Sequence, residues 1–433
     1  MSVPQTRVLI AFDLAAGGVG DFFTLNDPVK GLLSGGTVTS EFPLAGDILE
    51  DVTADVRSVS VRRGRSRALE RFDAGAAVID LRNDERKFDP AAGTAITPFG
   101  ASMRPRKEIV IQTVGVPVFR GVVEDWDLEY SLNGDHVASV KASDEFTILA
   151  QQVLPPFTLT EQLSGARVEE VLDRPSVAWP PSRRTISPGK ATLGTAVIEP
   201  DTSVLDYLQQ VELSEPGALF ISANGLMAFR DRADLQRVPR VRFSDEPEGY
   251  SFQDIVISYG IEEMRNRVFV ELANEGGTAT AINSVSVGEF GAIDFELQNS
   301  LLSNLTQAQD LADFLAGFYG EPQVRVDQIS VNLASPGNPV FSVPSGSDVL
   351  FPNALTPTQV VSVLQLELGD LVEVFFTPSG IGNRIEQLCV IDSIEHEVSP
   401  KEHIMRFNLS QTRTGFILDS SSFGVLNESK LYF

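Results

Sequence analysis

The chain has 433 residues, with 59 Asp and Glu against 34 Lys and Arg, a formal net charge of −25 at pH 7. That length calls for two to four cores, and 42% hydrophobic with 21% charged residues excludes a disordered or fibrous chain. The acid excess works against tight binding to nucleic acid or an anionic membrane. A single cysteine, Cys389, excludes an internal disulfide framework and a thiolate zinc cluster.

The start, MSVPQTRVLIAFDL, lacks a basic leader and a small-residue cleavage site. No run reaches the ~20 apolar residues of a membrane helix. Synthesis in the cytosol without a membrane span is therefore expected. Residues 6–14 predict a first strand, and Gly17-Gly18 and Gly35-Gly36 predict turns. Gly17-Gly18-Val19-Gly20 is turn punctuation and not a phosphate loop, because no Gly-Lys-Ser/Thr follows. Asp51–Val61 is strand-like and enters a basic segment, Arg57–Tyr130, whose short apolar stretches Val59-Ser60-Val61, Val78-Ile79-Asp80-Leu81 and Ile109-Val110-Ile111 read as strands with one face buried. Gly121 inside the next strand predicts a bulge or a close backbone approach, and Asn133-Gly134 predicts a hairpin turn.

Helical periodicity begins after Ser143, over Asp144–Gln151 and Ala166–Leu172. A longer helix is predicted over Ser203–Leu213 with Thr202 or Ser203 as its cap. A hairpin around Asn224-Gly225 follows. From Ile255 the strands IVISYG, NRVFVEL, SVSVG and AIDFEL are predicted, then a helix over Leu305–Tyr319 ended by Gly320 and Pro322. VRVDQISVNL is a further strand, and residues 334–363 predict a loop region. LGDLVEVFFTP, QLCVIDSIEHEV and IMRFNLSQ predict three closing strands, and an apolar C-terminal arm suggests a partner surface. The fold class is mainly β with α+β insertions: two small β-barrels and an α/β insertion. Its divisions are residues 1–150, 151–254, 255–411 with a helix at 305–319, and an arm at 412–433.

Chemistry is sparse. His396 and His403 flank a turn, HEVSPKEH, whose spacing matches no recurring zinc pattern, so solvated turn histidines are expected and no metal or cofactor is assigned. No Gly-x-Ser-x-Gly elbow is present, and acidic pairs such as Glu169/Glu170 arise without catalytic need in so acidic a chain. No enzymatic role is expected. The basic segment could track phosphates, but its arginines alternate with Glu70, Asp73, Asp80, Asp84, Glu85 and Asp89. That mixture favours ion-paired strands or a subunit interface, since Arg suits bidentate pairing with carboxylates. The candidate interface residues are Arg62, Arg63, Arg65, Arg67, Arg71, Arg86, Arg104 and Arg106.

The run VTADVRSVSVRRGRSRALERFDAGAAVIDLRNDERKFDP with VPVFRGVVEDWDLEY resembles the N-terminal half of minor tail proteins of long-tailed actinobacteriophages. SVLDYLQQVELSEPGALFISANGLMAFRDR, NRVFVELANEGG, LTQAQDLADFLAGFYGEPQVRVDQISV, and LELGDLVEVFF with VIDSIEHEVSP resemble the tail hub of siphophages and contractile baseplates. The resemblance implies a structural virion protein at the distal end of the tail, a homotrimeric hub in which two related β-barrels per subunit form a pseudo-sixfold ring. It implies as partners a distal tail protein ring, a tape measure protein and other tail-tip subunits, with transient passage of DNA through a central channel. The alternatives are a sixfold distal tail ring protein, a peptidoglycan hydrolase and a carbohydrate-binding adsorption protein.

Overall fold

Alternation of apolar and polar residues builds most of the molecule. A computed structural model describes residues 3–13, 47–92, 103–132, 134–232, 238–247, 249–273, 277–333 and 355–412. The expected glycine turns before residue 46, Asn133 and the C-terminal arm beyond Thr412 lie outside them. The largest sheet has thirteen strands. In chain order they are β1 (Thr6–Asp13), β2 (Asp47–Asp51), β3 (Val56–Gly64), β4 (Asp73–Arg82), β5 (Glu108–Thr113), β6 (Val116–Tyr130) and β7 (His136–Ser143). Then come β8 (Val241–Ser244), β9 (Asp254–Gly260), β10 (Gln323–Asn332), β11 (Leu371–Phe376), β12 (Ile385–Val398) and β13 (His403–Gln411). β4 shows the logic: Gly75, Ala77, Ile79 and Leu81 are buried while their neighbours face outward.

The spatial order is β9-β10-β13-β12-β3-β4-β7-β6-β5-β1-β2, with β11 on the first half of β12 and β8 parallel to β11. Among the described residues the pairing runs as one continuous path through both halves of this mainly β fold. The joint between its halves is β3 on β12, antiparallel, from Ser393 opposite Gly64 to Val398 opposite Val59. Gly64 permits it: a Cβ there would lie 2.1 Å from the Asp392 carbonyl oxygen, and its φ of +112° suits glycine alone. Gly121 makes the close approach expected of it, against the Ser143 carbonyl.

The two halves repeat one plan. β3-β4-β7-β6-β5 and β9-β10-β13-β12-β11 have the same neighbours in the same chain order and the same antiparallel directions, while the strands beyond them differ, β1 lying antiparallel to β5 and β8 parallel to β11. β6 and β12 are both long, each leaving its first partner and bending onto its second across a one-residue bulge, at Glu124 and at Asp392. Aligning the bulges superposes the registers. Val122–Ser143 through Tyr130–His136 corresponds to Val390–Ser410 through Val398–His403. On the other side of β7 and β13, Val78 opposite Lys141 corresponds to Gln328 opposite Asn408.

Two α/β units interrupt the plan. Between β7 and β8 lie α1 (Phe146–Gln151), α2 (Ser164–Leu172), α3 (Val204–Ser214) and a three-stranded sheet of Ala218–Ile221, Met227–Arg230 and Arg184–Ile186. Ser203 caps α3 by accepting from the Asp206 N–H. Between β9 and β10, Arg267–Leu272 pairs with Thr278–Ile282 and Asp294–Ser300, with α4 (Ser284–Phe290) and α5 (Leu305–Phe318) alongside. α4 occupies the SVSVG segment expected as a strand; Asn283 accepts from the Ser286 N–H and starts a helix there. α6 (Pro357–Leu364) falls within the expected loop of residues 334–363, opened by a reciprocal Thr356/Gln359 capping box with Pro357 in the first turn. By strand pairing, the second half of the sheet begins at β8, residue 241, and α5 belongs to the second α/β unit.

Candidate interaction surface

Most of the candidate arginines have acidic partners within the chain, several of them hundreds of residues away. On the inner side of the joint, Arg63 is 3% exposed and its Nη1 donates to Glu367 Oε1 at 2.6 Å. Arg65 donates to Asp392 Oδ1 at 2.8 Å and lies over the Phe72 ring. Burial works against the Arg65 charge, but Asp392 and Glu212 outweigh it and raise its pKa. Arg63 and Arg65 are therefore internal, which corrects their assignment to a subunit boundary: the charges that looked available are consumed holding β3 to the second half.

The others are peripheral. Arg62 is half-exposed, 3.5 Å from Glu395. Arg67 pairs with Glu262, and Arg71 stands 3.9 Å from Asp206. Arg86 sits 2.7 Å from Asp89, whose carboxyl is held below the usual range by the Tyr130 hydroxyl, donating at 2.6 Å, and by Arg86 itself. Arg106 donates to Gln151 at 2.8 Å and is 3.8 Å from Glu124. Arg104 is exposed just before β5. These partners are scattered through the chain, and of the acids interleaved with the arginines in sequence it is Asp89 that takes a candidate, Arg86.

The histidines differ from expectation. His396 and His403 are buried, with His396 Nδ1 3.1 Å from His403 Nε2. Burial holds both neutral, His396 well below its ordinary range and His403 down to about 4. Among the described residues no group of three or more His, Cys, Asp or Glu is placed to hold a metal ion. Sequence reasoning also missed two buried acids near the joint. Burial pushes Glu212 up to about 8 although Arg65 pulls it back, and it pushes Asp144 up to about 7. Asp144 accepts from the Gly75 and Phe146 N–H groups, so it ties α1 to β4. Glu212 lies buried in α3, near enough to Arg65 for the two charges to interact.

A cleft of about 530 Å³ lies beside the joint, between the start of β6, the hairpin Ala218–Arg230 and the turn after α6. Its charges are already engaged: Arg230 donates to Asp370 at 2.7 Å, Arg240 stands 3.4 Å from the same carboxylate, and Glu367 takes Arg63. What the surface offers instead is sheet edge. The outer edge of β9 and the outer edge of β6 over Asp125–Tyr130 have no strand partner among the described residues. Val256, Tyr259 and Ile261 stand exposed along the first, and Tyr130 and Leu132 at the end of the second.

The fold as a whole can be set beside solved structures. A tail protein from Neisseria meningitidis MC58 aligns over 84% of this chain and 93% of its own, with a TM-score of 0.53 at 10% identity. The chain has the fold of a phage tail protein. A 43 kDa tail protein of prophage MuSo2 from Shewanella oneidensis is similar in fold, with a TM-score of 0.50, 12% identity, and 84% and 94% of the two chains covered. No family model matches the sequence, and no curated protein matches it.

Proposed function

We propose that this chain is a structural component of a phage virion: a trimeric hub at the distal end of the tail, where a sixfold tail meets a threefold tip. The observation that carries this reading is the internal duplication. A chain that presents the same five-strand plan twice contributes two quasi-equivalent segments to a ring, so three copies match six positions. The tail-protein fold supports a place in the tail, and the sequence resemblance supports a long-tailed actinobacteriophage as its source.

The net charge of −25 suits a channel that DNA crosses without sticking, since like charge opposes adsorption of the phosphate backbone. In this reading the neighbours are a distal tail ring, a tape measure protein and other tip subunits. The protein works by shape and pairing and has no catalytic role. A sixfold distal ring protein, the nearest competitor, needs only one such segment per chain. Native mass measurement of the assembled protein tests the proposal: three copies are expected, and six would overturn it.

A further inference from the structure

The duplication also specifies how copies join. Inside the chain, β12 carries β3 on the edge left open beyond its bulge. The same edge of β6, Asp125–Tyr130, is bare, and β9, the counterpart of β3, has nothing on its outer side among the described residues. We infer that β9 of one copy docks antiparallel on β6 of a second copy of this chain, repeating between subunits the joint that β3 and β12 make within one. The inference rests on the ring reading and deepens it.

The register follows from the alignment of bulges. Ser393–Val398 corresponds to Asp125–Tyr130, and Val59–Gly64 to Ile255–Gly260. Ser393 opposite Gly64 therefore becomes Asp125 opposite Gly260. Arg62–Glu395 becomes Ser258–Asp127, and Val59–Val398 becomes Ile255–Tyr130.

Burial differs at matched positions as a missing neighbour requires. Arg63 is 3% exposed in the joint, whereas its counterpart Tyr259 is 70% exposed. Val59 and Val61 are buried, while Ile255 and Ile257 are only half-buried. On the receiving side Ile394 and His396 are buried, and their counterparts Trp126 and Leu128 are half-buried. Glycine gives a separate indication. The clearance at Gly64 is used by Asp392 and Ser393, but a Cβ on Gly260 would meet nothing within 4 Å in its own chain. A bare edge with exposed apolar residues pairs with another strand unless it is covered. Two different edges that fit each other give a head-to-tail contact, which closes into a ring when the rotation allows.

The test uses full-length chains with one cysteine added, Cys389 being buried and silent. Asp127→Cys is mixed with Ser258→Cys, and Glu129→Cys with Val256→Cys. Each mixture is mildly oxidised, since directly opposed residues meet the Cα spacing a disulfide needs. A covalent dimer is expected from each mixture, and none from any variant alone or from Asp127→Cys mixed with Val256→Cys. In parallel, Gly260→Val should weaken self-association at least tenfold with an unchanged unfolding midpoint. Rings of normal mass without the in-register disulfides, or with Gly260→Val assembling normally, would overturn this joint and leave the ring reading standing. An intramolecular disulfide in the doubly substituted chain would also overturn the joint. A wild-type protein that stays monomeric at all concentrations would overturn both.

Discussion

Replacing Arg63 with Ala removes one half of a buried ion pair at the seam of the molecule. Its guanidinium is 3% exposed and 2.6 Å from Glu367, a carboxylate itself only 17% exposed. Removing one partner of such a pair costs about 3–5 kcal/mol, because the remaining charge stays desolvated. Glu367 would keep the N–H groups of Ala223 at 2.8 Å and Leu368 at 3.0 Å, which places the loss near the lower end, about 3 kcal/mol. Arg62, the next residue, is 55% exposed with Glu395 at 3.5 Å, and Arg62→Ala should cost about 0–1 kcal/mol. Urea denaturation of the two variants beside the wild type measures the contrast. The double variant Arg63→Met with Glu367→Gln should recover most of the loss, since a neutral pair leaves no buried charge unmatched. Equal, small losses from Arg62→Ala and Arg63→Ala would refute the buried seam. A full-strength monomer that fails only to assemble would return Arg63 to a subunit boundary.

Two further outcomes follow from the interior. The folded-state pKa of Glu212, about 8, lies above its ordinary 4.5, so the folded chain keeps a proton that the unfolded chain releases. Stability therefore falls as pH rises from about 4.5 to 8, by up to about 1.4 kcal/mol per pH unit. Glu212→Gln should reduce that slope between pH 7.5 and 8, above the unfolded histidines at 6.5 and the midpoint of Asp144 at about 7; an unchanged slope there would exclude Glu212 as its source. Thr356→Ala should cost about 1 kcal/mol and speed hydrogen exchange in the first turn of α6, because it removes the acceptor for the Gln359 N–H.

Local pattern carried much of the fold. The alternation in β4 and β5, the glycine approach at Gly121, the Ser203 cap and the long helix α5 are all visible as spacing and residue type. α6 was also legible, since Thr356-Pro357-Thr358-Gln359 is a capping box with proline at its first position, but the surrounding Pro, Ser and Gly hide it. SVSVG reads as a strand because five alternating residues fit either period, and the Asn283 cap settles them as helix.

The histidine pair needed the register. In the β12–β13 hairpin His396 faces Met405 and His403 faces Val398, so the two histidines are diagonal neighbours on one face. Solvated turn residues were inferred from the intervening Ser-Pro-Lys-Glu alone. The candidate arginines were harder still. Their acidic character of surroundings was readable, but Glu367 and Asp392 lie more than 300 residues along the chain from Arg63 and Arg65, and only the topology brings them together. The resemblance implied two related barrels, but the strand-by-strand register of the duplication was hidden, because it lives in pairing order and bulge position, while matched residues such as Trp126 and Ile394 or Tyr259 and Arg63 share little.

Averaged end-on electron images of the assembled protein show directly how the lobes are arranged. A threefold ring of six similar lobes is expected, two from each chain, alternating between an intrachain and an intersubunit strand joint. A ring of six whole chains, or particles holding a single pair of lobes at every concentration, would contradict it.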